Sequence, residues 1–256
     1  MDRGIISGIF TPEQANHHQE LVERYLKGPD GARLMDRPLK YHGGIQSLFQ
    51  RAESSTFFGR EIGLMYVHEH IRYAESLALM GKAEEFVKAL RQAIPVGYKD
   101  IVPCAELRQS NCYYSSSDVW FTSRYDADER YEEVKRGNMM LKGGWRVYSS
   151  GPGIYIAIIL TRLLGVRVEH ENIILDPVLP KSLDGLSVSL ALLGHNTTIT
   201  YSVKHNTHSP KEIVINGTKI EFIHDENQYR PGGAILPREI LMSHLSLPTN
   251  MIHVRL

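Results

Sequence analysis

Cysteine is scarce. Cys104 and Cys112 are the only two in 256 residues, and they form no Cys-x-x-Cys pair. That excludes a disulfide framework and a thiolate zinc site, and it fits a reducing compartment. Long apolar runs are missing too. None approaches the ~20 residues that a bilayer crossing needs, so no membrane partner is expected. Neither sign of charge is in excess. Lys+Arg and Asp+Glu number 29 each, which gives no global field toward nucleic acid or an anionic membrane. Met1-Asp2-Arg3-Gly4 lacks the basic-then-apolar order of a signal peptide, so the expected location is cytoplasmic. Asn196-Thr197-Thr198 and Asn216-Gly217-Thr218 match the glycosylation pattern but carry no meaning without secretion. No internal repeat or low-complexity segment occurs.

Several chemical signatures are absent as well. No Lys-Ser/Thr follows the glycines of 143–153, and they lack the three-glycine dinucleotide spacing. His68-Glu69-His70 places its histidines at i and i+2, on different faces of a helix, and no His-Glu-x-x-His is present. No metal is expected, and these histidines read as pocket or core residues. No pair of carboxylates stands in the arrangement of a complete glycosidase.

What is present centres on Gly143-Gly144-Trp145-Arg146-Val147-Tyr148-Ser149-Ser150-Gly151-Pro152-Gly153, which leads into an apolar run from Ile154 to Leu164. The spacing predicts a buried helix with Ser149 or Ser150 as N-cap and Pro152 in its first turn. Glycines before a helix start let a ligand approach bare backbone, and free N–H groups there favour an anion. The same stretch also reads as a capped core helix after a flexible turn. Trp145, Arg146 and Tyr148 tilt the reading toward a pocket for sugar and phosphate.

Along the chain, Thr11-Pro12-Glu13-Gln14 starts a helix that is expected to run to Lys27 and stop at Gly28-Pro29. Residues 29–44 read as a loop, with Asp30, Arg33, Asp36, Arg37, Tyr41 and His42 able to rim a polar site or simply to face solvent. Helices are expected over Ile45–Glu53, Phe57–Met80 and Lys82–Ala93. On the long one, Glu61, His68, Arg72 and Glu75 form a polar stripe. Arg108 to Asp118 is dense in hydroxyls, amides and aromatics, suited to a carbohydrate subsite or to a loop with Ser117 or Asp118 capping the next helix. A further helix is expected from Ala127 to Lys135. From Leu186 onward apolar and polar residues alternate, and Asn216-Gly217 marks a hairpin. The first ~170 residues thus read as helical and the remainder as antiparallel β.

Four blocks carry a resemblance. They are Phe58 to Glu75, Tyr114-Ser115-Ser116-Ser117-Asp118, Gly143 to Tyr155, and Asp176-Pro177-Val178-Leu179-Pro180. Together they resemble the inverting phosphorylases of glycoside hydrolase family 94, most of all those acting on 1,2-β-oligoglucans, with cellobiose and chitobiose phosphorylases more distant. The resemblance implies an α+β multidomain fold: part of an (α/α)6 barrel over 1–175, then a small antiparallel β-sandwich of jelly-roll type over 176–256. It implies that phosphate cleaves a β-1,2-glucooligosaccharide to give α-glucose 1-phosphate, with no cofactor. It places phosphate at His68 and at Ser149, Ser150 or Gly151, and sugar contacts at Tyr114, Asp118, Arg124, Trp145 and Arg146. The family's general-acid Asp lies upstream of the His68 block, and neither Asp30 nor Asp36 sits in the acid motif. The expectation is therefore a carboxy-terminal part, inactive without its amino-terminal half. Rival readings are a non-catalytic carbohydrate-binding or scaffold protein, and a different linkage specificity.

Overall fold

A computed structural model of the chain describes residues 2–37, 64–119, 121–144, 146, 150–204 and 208–256, excepting the side chains of Arg124 and Ser150. It divides into two compact units, 1–76 with 88–155 and 77–87 with 156–256.

In the first unit, α1 (Arg3–Ile6) is followed by α2 (Pro12–Leu21). Thr11 opens α2 with the reciprocal cap its sequence predicts. Its hydroxyl accepts from the Gln14 amide, and the Gln14 side chain accepts from the Thr11 amide. The last turn, Val22–Leu26, widens to π geometry. Lys27 does not end a helix in open chain. β1 (Lys27–Gly28) folds back on β2 (Gly31–Ala32) as a short antiparallel pair.

The expected helix Phe57–Met80 is corrected at its start. Residues 57–63, like the expected helix 45–53, lie outside the described residues. β3 (Met65–Tyr66) is extended, and the helix α3 (Val67–Leu79) begins only at Val67. Non-local pairing overrides local propensity here: β3 joins β4 (Ser116–Val119) and β5 (Leu141–Gly143) in a three-stranded antiparallel sheet. The supposed N-caps Ser117 and Asp118 are thus strand residues. After α4 (Ala83–Gln92) and α5 (Tyr98–Ile101), α6 (Arg124–Lys135) is capped instead by Ser123, whose hydroxyl accepts from the Asp126 amide. α7 (Ser150–Ile158) continues as a π turn, Ile159–Leu163. It is less buried than its composition suggests, with Ile156 58% and Leu160 42% exposed.

The second unit is a two-sheet sandwich. β6 (Val166–Val168), β7 (Asn172–Leu175), β12 (Ile223–His224) and β13 (Ala234–Pro237) form one antiparallel sheet in the order β12-β13-β7-β6. β8 (Ser187–Leu192), β9 (His195–Ser202), β10 (Glu212–Ile215), β11 (Thr218–Ile220) and β14 (Asn250–Arg255) form the other, in the order β11-β10-β14-β9-β8. Ile173, Leu175 and Leu236 from the first meet Ile199, Ile213, Ile252 and Val254 from the second in one apolar core. The sandwich is not wholly antiparallel, because β14 runs parallel to β9. A short helix, α8 (Arg238–His244), precedes β14. Asn216 (φ 48°) and Gly217 (φ 86°) supply the two left-handed residues of the predicted hairpin between β10 and β11.

Candidate functional site

The three-stranded sheet of the first unit has two unlike faces. Strand alternation sends Met65, Ser117 and Val119 to one side and Tyr66, Ser116 and Asp118 to the other. The first side is core. Met65, Ser117 and Leu141 are fully buried, and Val119 and Leu141 pack with Tyr98, Val102 and Ala105.

The second side gathers the candidate residues. Tyr66 lies opposite Ser116 in the pairing of β3 with β4. His68 sits one residue into α3, its ring stacked on Tyr66 at 5.9 Å between centroids and 14° between planes. Tyr113, just before β4, is close enough to Tyr66 to feel its phenol. Burial first, and then that neighbour, push the Tyr113 hydroxyl up to about 12, so it remains a donor at any working pH. Tyr113 also faces Gly151 in the first turn of α7, where a Cβ would collide with the Tyr113 hydroxyl. His68 is thus stacked on Tyr66, and Gly151 lies against Tyr113. The helix N-terminus beside Gly151 offers backbone N–H groups suited to an anion.

Farther along β4, Asp118 leans back toward Ser116, whose hydroxyl donates to Asp118 Oδ2 at 3.3 Å. Gly144 lies against both, and a side chain there would strike the Ser116 hydroxyl. Burial pushes the Asp118 carboxyl up to about 6, opposed by the Ser116 hydrogen bond and by Arg108, and assisted by Asp30. Its Oδ1 is buried without a hydrogen-bond partner.

Other candidates fall elsewhere. Tyr114 is 6% exposed, with its ring under Gly143 and its hydroxyl accepting from the Gln109 amide at 3.0 Å. It is part of the buried layer, with no ring face open for a sugar. Arg146 is exposed, bonds the Gln109 side chain at 3.1 Å and reaches over the Tyr114 ring. Trp145 and Ser149, and the side chains of Ser150 and Arg124, lie outside the described residues, as do Glu61, Tyr41 and His42. The expected polar rim at 29–37 is corrected: Asp30 and Arg33 form a buried ion pair at 2.8 Å, and Asp36 pairs with Lys135 at 3.3 Å. His70 is a core histidine. Its Nδ1 accepts from the Ala32 amide at 3.1 Å, which leaves Nε2–H to donate to the Ala89 carbonyl at 2.8 Å. Burial lowers it to about 4, so it is neutral. Tyr66 and Tyr113 were not singled out from the sequence. Tyr113 stands in the polar-aromatic stretch 108–118, but only the fold shows which of its residues face Gly151.

Residues 165–254, within the second unit, match the family described as the Glycoside phosphorylase C-terminal domain. The likeness extends beyond it. Over 246 residues, 96% of the chain, the sequence is 42% identical to the 1,2-beta-oligoglucan phosphorylase of Listeria innocua, and that match spans 22% of the relative. A weaker match, 24% over 155 residues and 60% of the chain, is to the cyclic beta-(1,2)-glucan synthase NdvB of Rhizobium meliloti, of which it spans 5%. The resemblance read from the four blocks is therefore supported by the whole chain.

Proposed function

We propose that the chain is the carboxy-terminal part of a phosphorylase that cleaves β-1,2-glucooligosaccharides. A phosphate oxygen attacks the anomeric carbon of the terminal glucose as the bond from that carbon to the glycosidic oxygen breaks. A carboxylic acid outside these residues supplies a proton to the departing oxygen. The products are α-glucose 1-phosphate, formed with inversion, and a glucan one unit shorter. An inverting hydrolase needs a second carboxylate to activate water. Phosphate arrives as an anionic nucleophile, so donors that hold it in line can replace that base.

In this reading His68, Tyr113 and the 149–151 turn hold phosphate, while Asp118, Arg124, Trp145 and Arg146 meet sugar. The first 175 residues contribute to an (α/α)6 barrel, and the sandwich is of jelly-roll type. What supports the reading is that His68 stacks on Tyr66 and Gly151 lies against Tyr113, in a chain 42% identical to a 1,2-beta-oligoglucan phosphorylase. The test is to incubate the chain with β-1,2-glucooligosaccharide and phosphate, alone and with the remaining amino-terminal part of such a phosphorylase. Glucose 1-phosphate is expected only from the mixture. Release by the chain alone would place an acid within these residues, and a folded mixture that stays silent would favour a non-catalytic carbohydrate-binding protein.

A further inference from the structure

The two sheets of the sandwich end in four edge strands, and three of these are guarded against further pairing. β11 has three residues and carries Lys219, β6 has three and carries Arg167, and β12 has only two. Shortness and charge are ordinary means of keeping an edge from pairing with another chain. β8 has neither. It runs for six residues at the end of the order β11-β10-β14-β9-β8, and no charged residue or proline occurs from Gly185 to Gly194. Among the described residues no strand pairs with its outer side. Apolar surface follows the same rim: Leu183, Leu186, Val188 and Leu190 pack on the sandwich core but are only partly buried.

Backbone geometry decides which groups face outward. Leu193 (φ 50°) and Gly194 (φ 84°) form a two-residue turn that closes on Leu192 opposite His195. Such a turn makes its flanking residues a hydrogen-bonded pair, and bonded and non-bonded pairs alternate from there along the ladder. Leu192, Leu190 and Val188 therefore direct their backbone groups to β9, as Leu186 does when its carbonyl accepts from the Tyr201 amide at 2.9 Å. Ser187, Ser189 and Ala191 present N–H and C=O outward. The Ser187 and Ser189 hydroxyls do not obstruct them, since they lie back on Thr200 and Thr198 at 3.4 and 2.9 Å. We propose that β8 pairs with β8 of a second copy of this chain, antiparallel about a two-fold axis at Ser189. The segment is complementary to itself in that register. Ser187 falls opposite Ala191 on the outer face, while Val188 meets Leu190 and Leu186 meets Leu192 on the core face, with no like charges opposed. A strand of other sequence would find no charge on this edge to select it, whereas a second copy matches by symmetry. The contact closes at two copies. A six-residue edge buries little surface, so dissociation is expected in the micromolar range.

The experiment is sedimentation velocity of the full chain from about 1 μM to about 300 μM, as wild type, Ser189→Pro, Ser189→Lys and Ser189→Glu, with circular dichroism as the check on folding. The wild type is expected to pass from monomer to dimer across that range. Ser189→Pro removes the central outward N–H and leaves the ladder with β9 intact, so a folded monomer is expected. Ser189 is exposed, so the charged variants are expected to fold. Each sets like charges opposite one another across the axis and is expected to weaken the dimer by about tenfold or more. Mixed in equal amounts, the Lys and Glu variants are expected to dimerise again, because the register at Ser189 places the two charges in one pair. Should Ser189→Pro fail to fold, the charged variants decide. A wild-type chain that stays monomeric throughout overturns the proposal, as does a dimer that neither charged variant weakens. Charged variants that are monomeric alone and remain so when mixed overturn it as well, since the axis would then not lie at Ser189.

Discussion

Two buried arginines, Arg230 in the second unit and Arg108 in the first, are treated in opposite ways. In the second unit, Arg230 makes a bidentate pair with Asp176, at 2.8 and 2.9 Å, both side chains almost wholly buried. Its remaining donors are met by the carbonyls of His208 and Ala78. That network ties the segment 77–87 to the sandwich, and Asn227 adds a hydrogen bond to the Leu79 carbonyl at 3.1 Å. In the first unit, Arg108 has two ring faces and no anion within ion-pair distance among the described residues. A polar group buried and satisfied specifies structure, whereas one buried and left open marks a place where stability has been yielded to something else. The contrast separates a scaffold from a site without reference to any relative.

The comparison can be broken most decisively at Asp176. Asp176→Ala leaves Arg230 buried without its counter-charge, and a loss of about 3–5 kcal/mol is expected in urea unfolding of the second unit. A change below about 1 kcal/mol would mean the pair is not the tie described.

Next comes pH. His70 is neutral in the fold, its proton affinity lowered from the usual histidine range to about 4. Its stabilisation is complete above the unfolded value near 6.5 and is lost as pH falls from there toward 4, because the unfolded chain takes up the proton first. Across that window the loss is about 3 kcal/mol. Asp118 has the opposite sign. Its carboxyl is raised, so its stabilisation is present below the unfolded value near 3.8 and is lost as pH rises through about 6. Asp118→Asn should therefore steepen the acid loss due to His70 and raise stability at pH 7 by about 1–2 kcal/mol, read from thermal unfolding at several pH values. A lower stability at pH 7 would assign Asp118 a structural role.

Arg108→Met sharpens the contrast with Asp176→Ala. Removing an unpaired buried charge is expected to leave stability unchanged or raised by about 1 kcal/mol, where removing half of a pair destroys it. Thr11→Ala is expected to cost about 1 kcal/mol, since it removes one cap of α2 and touches neither network.

Legibility in the sequence follows the same division. Local chemistry was readable: the Thr11 cap, the helix near 127–135, the Asn216-Gly217 turn, and the alternation that packs Val188, Leu190 and Leu192 against the sandwich core. Each is set by neighbours in the chain. Partnerships over long separations were not. Met65–Tyr66 reads as helix until Ser116 and Ser117 claim it as a strand, and β14 reads as one more antiparallel strand until it lies parallel to β9. Asp30 and Arg33 look like exposed loop charges because nothing local announces their burial. At the site, His68 and Gly151 could be named from the resemblance. Tyr66 lies within the first block and Tyr113 just before the second, and what each of them touches emerges only from the fold.

The central claim is that His68 and the start of α7 form a phosphate site. It is tested most directly by titrating the labelled chain with inorganic phosphate and following the Ser150 and Gly151 amides and the His68 ring by NMR. Saturable shifts at all three, abolished in His68→Ala while the sandwich signals stay unmoved, are the predicted result. Shifts scattered over surface lysines, or none at Gly151 and His68 in a folded chain, would contradict it.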